Sequence, residues 1–106
     1  MSMNIPQRGD IWFVRFHPSE SPTMAVVMNT AHEEDEPMYY TVIPHEARPE
    51  EFRFDVPIVN RYMRDGVFNV QRVHSVMKSQ FIQSLGVLSP SDLDALQNRL
   101  YTWLDM

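Results

Sequence analysis

The chain has 106 residues, of which 43% are hydrophobic, and a formal net charge of −5; this suits one domain over residues 1–106 with a modest core and leaves no room for a second. It contains no cysteine, which excludes disulfides, thiolate nucleophiles and cysteine-held metals and is compatible with a reducing compartment. No apolar run reaches the length of a membrane span, and the leader MSMNIPQRGD lacks the basic-then-apolar pattern of a secretory signal, so the expectation is a soluble, cytoplasmic protein with no membrane partner.

The first predicted element lies within Arg8 to Phe16, RGDIWFVRF. Gly9 and Asp10 supply the bend, and Ile11, Trp12, Phe13 and Val14 put β-branched and aromatic bulk on both faces of a pleat, which fits a strand covered on two sides. The rival reading is a buried helical turn, for which the run is short. His17 to Pro22 reads as a loop, because two prolines and small polar residues stop strand pairing. Met24 to Met28 is a second strand, left through Asn29-Thr30 into an acidic loop over Glu33 to Pro37. Tyr39 to Ile43, wholly aromatic or β-branched, is the clearest strand signal, and Pro44 is expected to close it.

Phe52 to Val56 alternates strictly, predicting a half-buried strand with Phe52, Phe54 and Val56 inward and Arg53 and Asp55 outward; Pro57 marks an edge or an end. Asn60 to Asp65 is polar and arginine-rich. Gly66 then opens a last strand through Val76 that loses phase, so a bulge or a break is expected near Gln71-Arg72. Lys78 to Leu85 is expected to form a short helix stopped by Gly86. Ser89 as N-cap, Pro90 at the first helical position and Asp92 three residues after the cap announce a C-terminal helix, whose stripe of Leu93, Leu96, Leu100, Trp103 and Leu104 should pack on the sheet.

Net acidity works against nonspecific binding of nucleic acid, which depends on neutralising phosphates. Eight of the nine basic residues are arginine, however, and Arg48, Arg53, Arg61, Arg64 and Arg72 share one stretch. Two readings stay open there: guanidinium forks that gather phosphates, or a solvated surface interleaved with Glu46, Glu50, Glu51 and Asp55. His17, His32, His45 and His74 have no metal-ligand spacing, and three scattered glycines cannot make a phosphate loop, so neither a metal nor a cofactor is expected. The tyrosines and Trp12, at strand positions, are read as core packing ahead of base stacking.

The order of these elements, with several local strings, resembles the MazF/PemK family of toxin ribonucleases. Arg8-Gly9-Asp10-Ile11-Trp12 looks like the family's opening RGD-I/V-W string, and Phe16-His17-Pro18 like its exit from the first strand. Met24 to Asn29 is similar to the family's P-A-L-V-L-S strand, and Tyr40 to Pro44 to the strand ending in V-x-P. Gly66 to Val76 resembles G-V-V-L-x-x-Q-I-R-T-V-D, and Val87 to Pro90 with the following helix resembles the closing L-G-x-L-S segment. The resemblance implies a β-rich α+β fold, an SH3-like small barrel of five to seven strands with a C-terminal helix packed on the sheet (the MazF/PemK/CcdB toxin-like fold). It also implies a toxin of a toxin-antitoxin system with metal-independent endoribonuclease ancestry, homodimeric, met by an antitoxin peptide and acting on single-stranded RNA.

The chain departs from the family's motifs at the chemistry. The loop after the first strand, G-H-E-Q-x-G-x-R-P with a catalytic arginine in active members, is here reduced to Pro18 to Thr23 with no arginine. Pro44 is followed by His45, Glu46 and Ala47, with no threonine or serine. Arg72 stands where the family has glutamine, and His74 where it has arginine. Metal-free RNA cleavage needs a base for the 2′-hydroxyl, a donor for the leaving oxygen and positive charge on the phosphate. His17 and His45, each just past an expected strand end, are the catalytic candidates, expected at one rim of the barrel; Arg48, Arg53, Arg72 and His74 are the candidates for holding RNA. The alternative is a catalytically silent dimeric binding or regulatory module on the same fold.

Overall fold

The computed structural model describes residues 5–33, 37–48, 51–59 and 65–106. Most of the acidic loop, at 34–36, and the arginine-rich stretch at 60–64 with Arg61 and Arg64 lie outside the described residues, as does Glu50. Seven strands are seen among the described residues: β1 (Asp10–Val14), β2 (Thr23–Val27), β3 (Tyr40–Glu46), β4 (Asp55–Val56), β5 (Val67–Asn69), β6 (His74–Val76) and β7 (Phe81–Val87). Two 3-10 turns, Val70–Arg72 and Lys78–Gln80, precede β6 and β7, and α1 (Pro90–Leu104) follows. The strands run antiparallel in the order β4-β5-β3-β2-β1-β7, with β6 also paired to β3. This is the expected β-rich α+β fold, with the ladder left open between β4 and β7 instead of closing into a full barrel.

β1 to β3 are buried on both faces because consecutive side chains point to opposite sides of a pleat. Ile11, Val26, Met28 and Ile43 join one cluster with Phe68, Leu88 and Leu96. Trp12, Val14, Ala25, Val27, Tyr40 and Val42 join a second, with Val76. Ring edges consolidate the second: Phe81 meets Trp12 at 5.5 Å and Tyr40 at 5.1 Å between centroids. The bend before β1 falls at Gly9, with φ of 90°. Its N–H donates to the Val27 carbonyl at 2.8 Å and its carbonyl accepts from Leu88 N at 2.9 Å, so β2 and the end of β7 grip it from two sides. A Cβ there would lie 3.2 Å from Leu93 Cδ2, beneath α1.

Three expectations are overturned. Pro44 does not close β3, which continues to Glu46. One edge of β3 pairs with β2 at Val42 to Pro44, while the other pairs with β6 at Tyr40 to Val42 and with β5 at His45 and Glu46. Pro44, which has no N–H to give, thus sits where that second edge is between partners. Phe52 to Val56 is mostly a turn, closed by Asp55 N to the Phe52 carbonyl at 3.0 Å, and only Asp55 and Val56 form a strand. The face is inverted for two members of the alternation: Asp55 is 1% exposed and Phe52 is 55% exposed, because Asp55 is drawn inward by an arginine described below. Finally, Lys78 to Leu85 is a 3-10 turn followed by a strand, with Gly86 opposite Ile11 inside it. Pairing along β1 outweighs the local helical reading, since β1 would otherwise keep an open edge.

The break near Gln71-Arg72 is present as the 3-10 turn, and β4, before Pro57, is an edge strand. In α1, Ser89 Oγ accepts from Asp92 N at 3.2 Å and Pro90 opens the first turn. Only Leu96 is fully buried; Leu93 and Leu100 pack partly, and Trp103 and Leu104 are exposed, with Trp103 meeting Phe54 edge-on at 5.1 Å. Arg8 clamps the helix by donating to the Met28 carbonyl and to Gln97 Oε1. Leu96→Ala should therefore destabilise the protein by about 2–5 kcal/mol in urea unfolding, and Leu104→Ala by much less.

Candidate functional site

The site arises from the way β5 and β6 share one edge of β3. Three steps along β3, from His45 to Val42, are matched by six steps from Phe68 to His74. The surplus is taken up by the turn Val70–Arg72, which buries Val70 and is capped by Asn69, whose Oδ1 accepts from Gln71 N at 3.1 Å. This enlarged bulge brings Arg72, Val73 and His74 to the surface beside the loop that leaves β1. A cleft of about 400 Å³ results, lined by Phe16, His17, Glu20, Pro44, Arg72, Val73 and His74.

Within it, the turn at His17 is closed by Glu20 N to the His17 carbonyl at 2.9 Å. His17 Nδ1 lies 2.7 Å from Ser19 Oγ and accepts from Ser19 N at 3.2 Å. An accepting Nδ1 places the proton of neutral His17 on Nε2, making this ring a donor from its far side. His74 is exposed and packs edge-on against Phe16 at 5.5 Å between centroids. Arg72, whose side chain is 60% exposed, donates from Nη1 to Glu46 Oε2 at 2.7 Å.

The other candidates lie elsewhere. His45 is not among the cleft's lining residues, so the expected shared rim with His17 is not found. Its ring packs edge-on to Phe68 at 5.2 Å, its Nε2 is buried without a hydrogen-bond partner, and a Cβ on Gly66 would reach within 2.8 Å of its Cε1. Burial lowers the His45 pKa below the ordinary histidine value, and the neighbouring Glu46 carboxylate only partly offsets this. Arg48 gives both terminal nitrogens to Asp55, at 2.6 and 2.9 Å, and its Nε to Glu46 at 2.8 Å. Hydrogen bonds from Arg48 hold the Asp55 carboxyl below its usual range despite its burial. Arg53 lies over the Phe54 ring at 4.7 Å, on the side facing α1, where its carbonyl accepts from Arg99. Sequence reading did not single out Glu46 and Asn69, although an asparagine just before a predicted break is a capping signal.

A profile of the PemK-like, MazF-like toxins of type II toxin-antitoxin systems matches residues 7–104. This chain belongs to that family. The fold agrees with solved structures at low sequence identity. MazF from Deinococcus radiodurans is 18% identical, with a TM-score of 0.84 over 98% of this chain and 100% of that one. The MazE-MazF structure from the same organism is 18% identical with a TM-score of 0.83, covering 98% and 99%. An endoribonuclease in complex with its cognate antitoxin, from a mycobacterial species, is 14% identical with a TM-score of 0.80, covering 98% and 97%. No curated protein matches the sequence.

In this MazF-like toxin the loop after β1 brings His17 to the cleft, and Arg72 and His74 line the same cleft. Among the described residues no group of three or more histidine, aspartate or glutamate side chains is placed to hold a metal ion, and no helix is long and apolar enough to cross a membrane. Acid stability follows from His45. As pH falls from neutral through the ordinary histidine range, the unfolded chain takes up a proton at this position that the folded chain refuses, so acidification favours unfolding. Melting temperature should fall between pH 7.5 and 5.5, and His45→Gln should flatten that slope. Gly66→Ala should cost more than about 1 kcal/mol, because φ is 103° and the new Cβ would lie 2.2 Å from the Glu46 carbonyl oxygen.

Proposed function

We propose that this chain is a metal-independent endoribonuclease toxin that cuts single-stranded RNA in the cleft between the His17 loop and the 3-10 turn. The observation that carries the reading is the convergence of His17, Arg72 and His74 in one cleft of a MazF-like fold. Arg72 receives the scissile phosphate and the negative charge that builds on it. His74 takes the proton of the 2′-hydroxyl, whose oxygen attacks the adjacent phosphorus to give a 2′,3′-cyclic phosphate. His17, acting as the imidazolium, donates its Nε2 proton to the departing 5′-oxygen and is left as the neutral ring. Phe16 and Val73 supply apolar walls beside these groups. His45, packed against Phe68, serves the fold in this scheme and not the chemistry.

The toxin acts in the cytoplasm as a homodimer restrained by an antitoxin peptide, a reading supported by the family and by the antitoxin-bound state of one similar structure. The silent-module alternative is not favoured, because the departures from the family's motifs bring other proton-transfer and anion-binding groups into the cleft. The test is cleavage of short single-stranded RNA by the purified chain in EDTA. His17→Ala and His74→Ala should each lower the rate by about 10²–10⁴-fold, the usual worth of a positioned acid or base. Wild-type rates in both variants would overturn these assignments, and a folded wild-type chain with no cleavage would overturn the enzyme reading.

A further inference from the structure

Four charged side chains of alternating sign run from the interior to the cleft. Asp55, buried at the sheet edge, accepts from both terminal nitrogens of Arg48 and from Phe52 N at 2.7 Å. Arg48 Nε donates to Glu46 Oε1, and Glu46 Oε2 accepts from Arg72 Nη1, which lies on the cleft wall. Asn69 joins the row twice: its Nδ2 donates to Glu46 Oε1 at 3.2 Å, and its Oδ1 caps the turn that carries Arg72. Arg72 is therefore carried on a turn that Asn69 caps at Gln71 N, and it is held at its guanidinium by the carboxylate. Among the described residues, Glu46 is its only hydrogen-bond partner, so its remaining N–H donors are uncommitted.

We propose that Glu46, backed by Arg48 and Asp55, is a positioning residue that aims the Arg72 guanidinium at an RNA phosphate in the cleft; this rests on the endoribonuclease reading above. A mobile arginine would lose side-chain entropy on gripping a phosphate, whereas one already fixed at Nη1 presents its free edge without that cost. The carboxylate itself is repelled by a phosphate, so Glu46 contributes through geometry and not through charge. Burial opposes ionisation of Glu46, yet hydrogen bonds from Arg72, Arg48 and Asn69 bring its pKa below the usual carboxylate value, so it remains an acceptor at neutral pH.

The experiment is a double-mutant cycle with an NMR readout. Glu46→Gln, which cannot accept from Arg72 and Arg48 at both of its polar ends, should lower kcat/KM for RNA about 10-fold, the scale of a misplaced contact group. Arg72→Ala should cost about 100-fold, and Glu46→Gln added to Arg72→Ala should cost nothing further. A merely structural role would give additive losses and overturn the proposal. The Nε–H signal of Arg72, in 15N relaxation without RNA, should be ordered in the wild type and mobile in Glu46→Gln. Equal mobility in the two proteins would overturn the proposal whether or not RNA is cut. Loss of activity in Arg72→Ala with full activity in Glu46→Gln would overturn it while leaving the endoribonuclease reading standing; full activity in Arg72→Ala would overturn both the phosphate role and the positioning role.

Discussion

The change of partner along one edge of β3 is the constraint on which the rest of the molecule depends. β3 cannot pair with one continuous strand from Val67 to Val76, because the register set at His45 and that set at Val42 differ by three residues. The surplus must leave the sheet, and it leaves as a capped 3-10 turn with Val70 anchored in the core. Pro44 sits at that gap, where a missing N–H costs nothing. Arg72 and His74 reach the cleft because of this offset, not because any local motif directs them there.

The second organising feature is the ion-paired row from Asp55 to Arg72. Burying a carboxylate is costly unless it is paired and hydrogen-bonded, and Asp55 meets both conditions through Arg48 and Phe52 N. That requirement explains why β4 presents its aspartate inward and leaves Phe52 outside, against its alternating pattern. It also links two regions that look independent in sequence, the edge strand and the cleft wall. Within the arginine stretch, Arg48 is tied into carboxylates, while Arg72 is paired with Glu46 and yet exposed at the cleft.

Much of the fold was legible where the signals are local. The Ser89-Pro90-Asp92 cap, the two-faced apolar run of β1 and the loss of phase near Gln71-Arg72 each report on neighbouring residues, and each is found in the structure. The failures at β3 and β7 share one cause, which is that long-range pairing overrides local pattern, whereas the inward turn of Asp55 follows its ion pair with Arg48. Phe81 to Val87 has neither a strict alternation nor a helical stripe, and it is a strand because β1 needs a partner. The candidate site was half legible for the same reason: residue type singled out His17, Arg72 and His74, but only the register placing His74 opposite Val42 brings them together, and His45, one step beyond Pro44, turns to Phe68 instead.

The clamp made by Arg8 has a consequence for how the protein comes into being. Arg8 and Gln97 are 89 positions apart in sequence, and the nearby pairing of β1 with β7 spans almost as far. Contacts of such separation require a large loop to be closed before they return any stabilisation, which slows folding. A chain emerging from the ribosome can assemble β1 with β2 and β3 early, yet β1 keeps a bare edge, and the bend at Gly9 has only one of its two grips, until residues 81–97 have been made. The sheet is thus completed only after residues 81–97 have been made, and any site that needs the whole sheet stays incomplete until then.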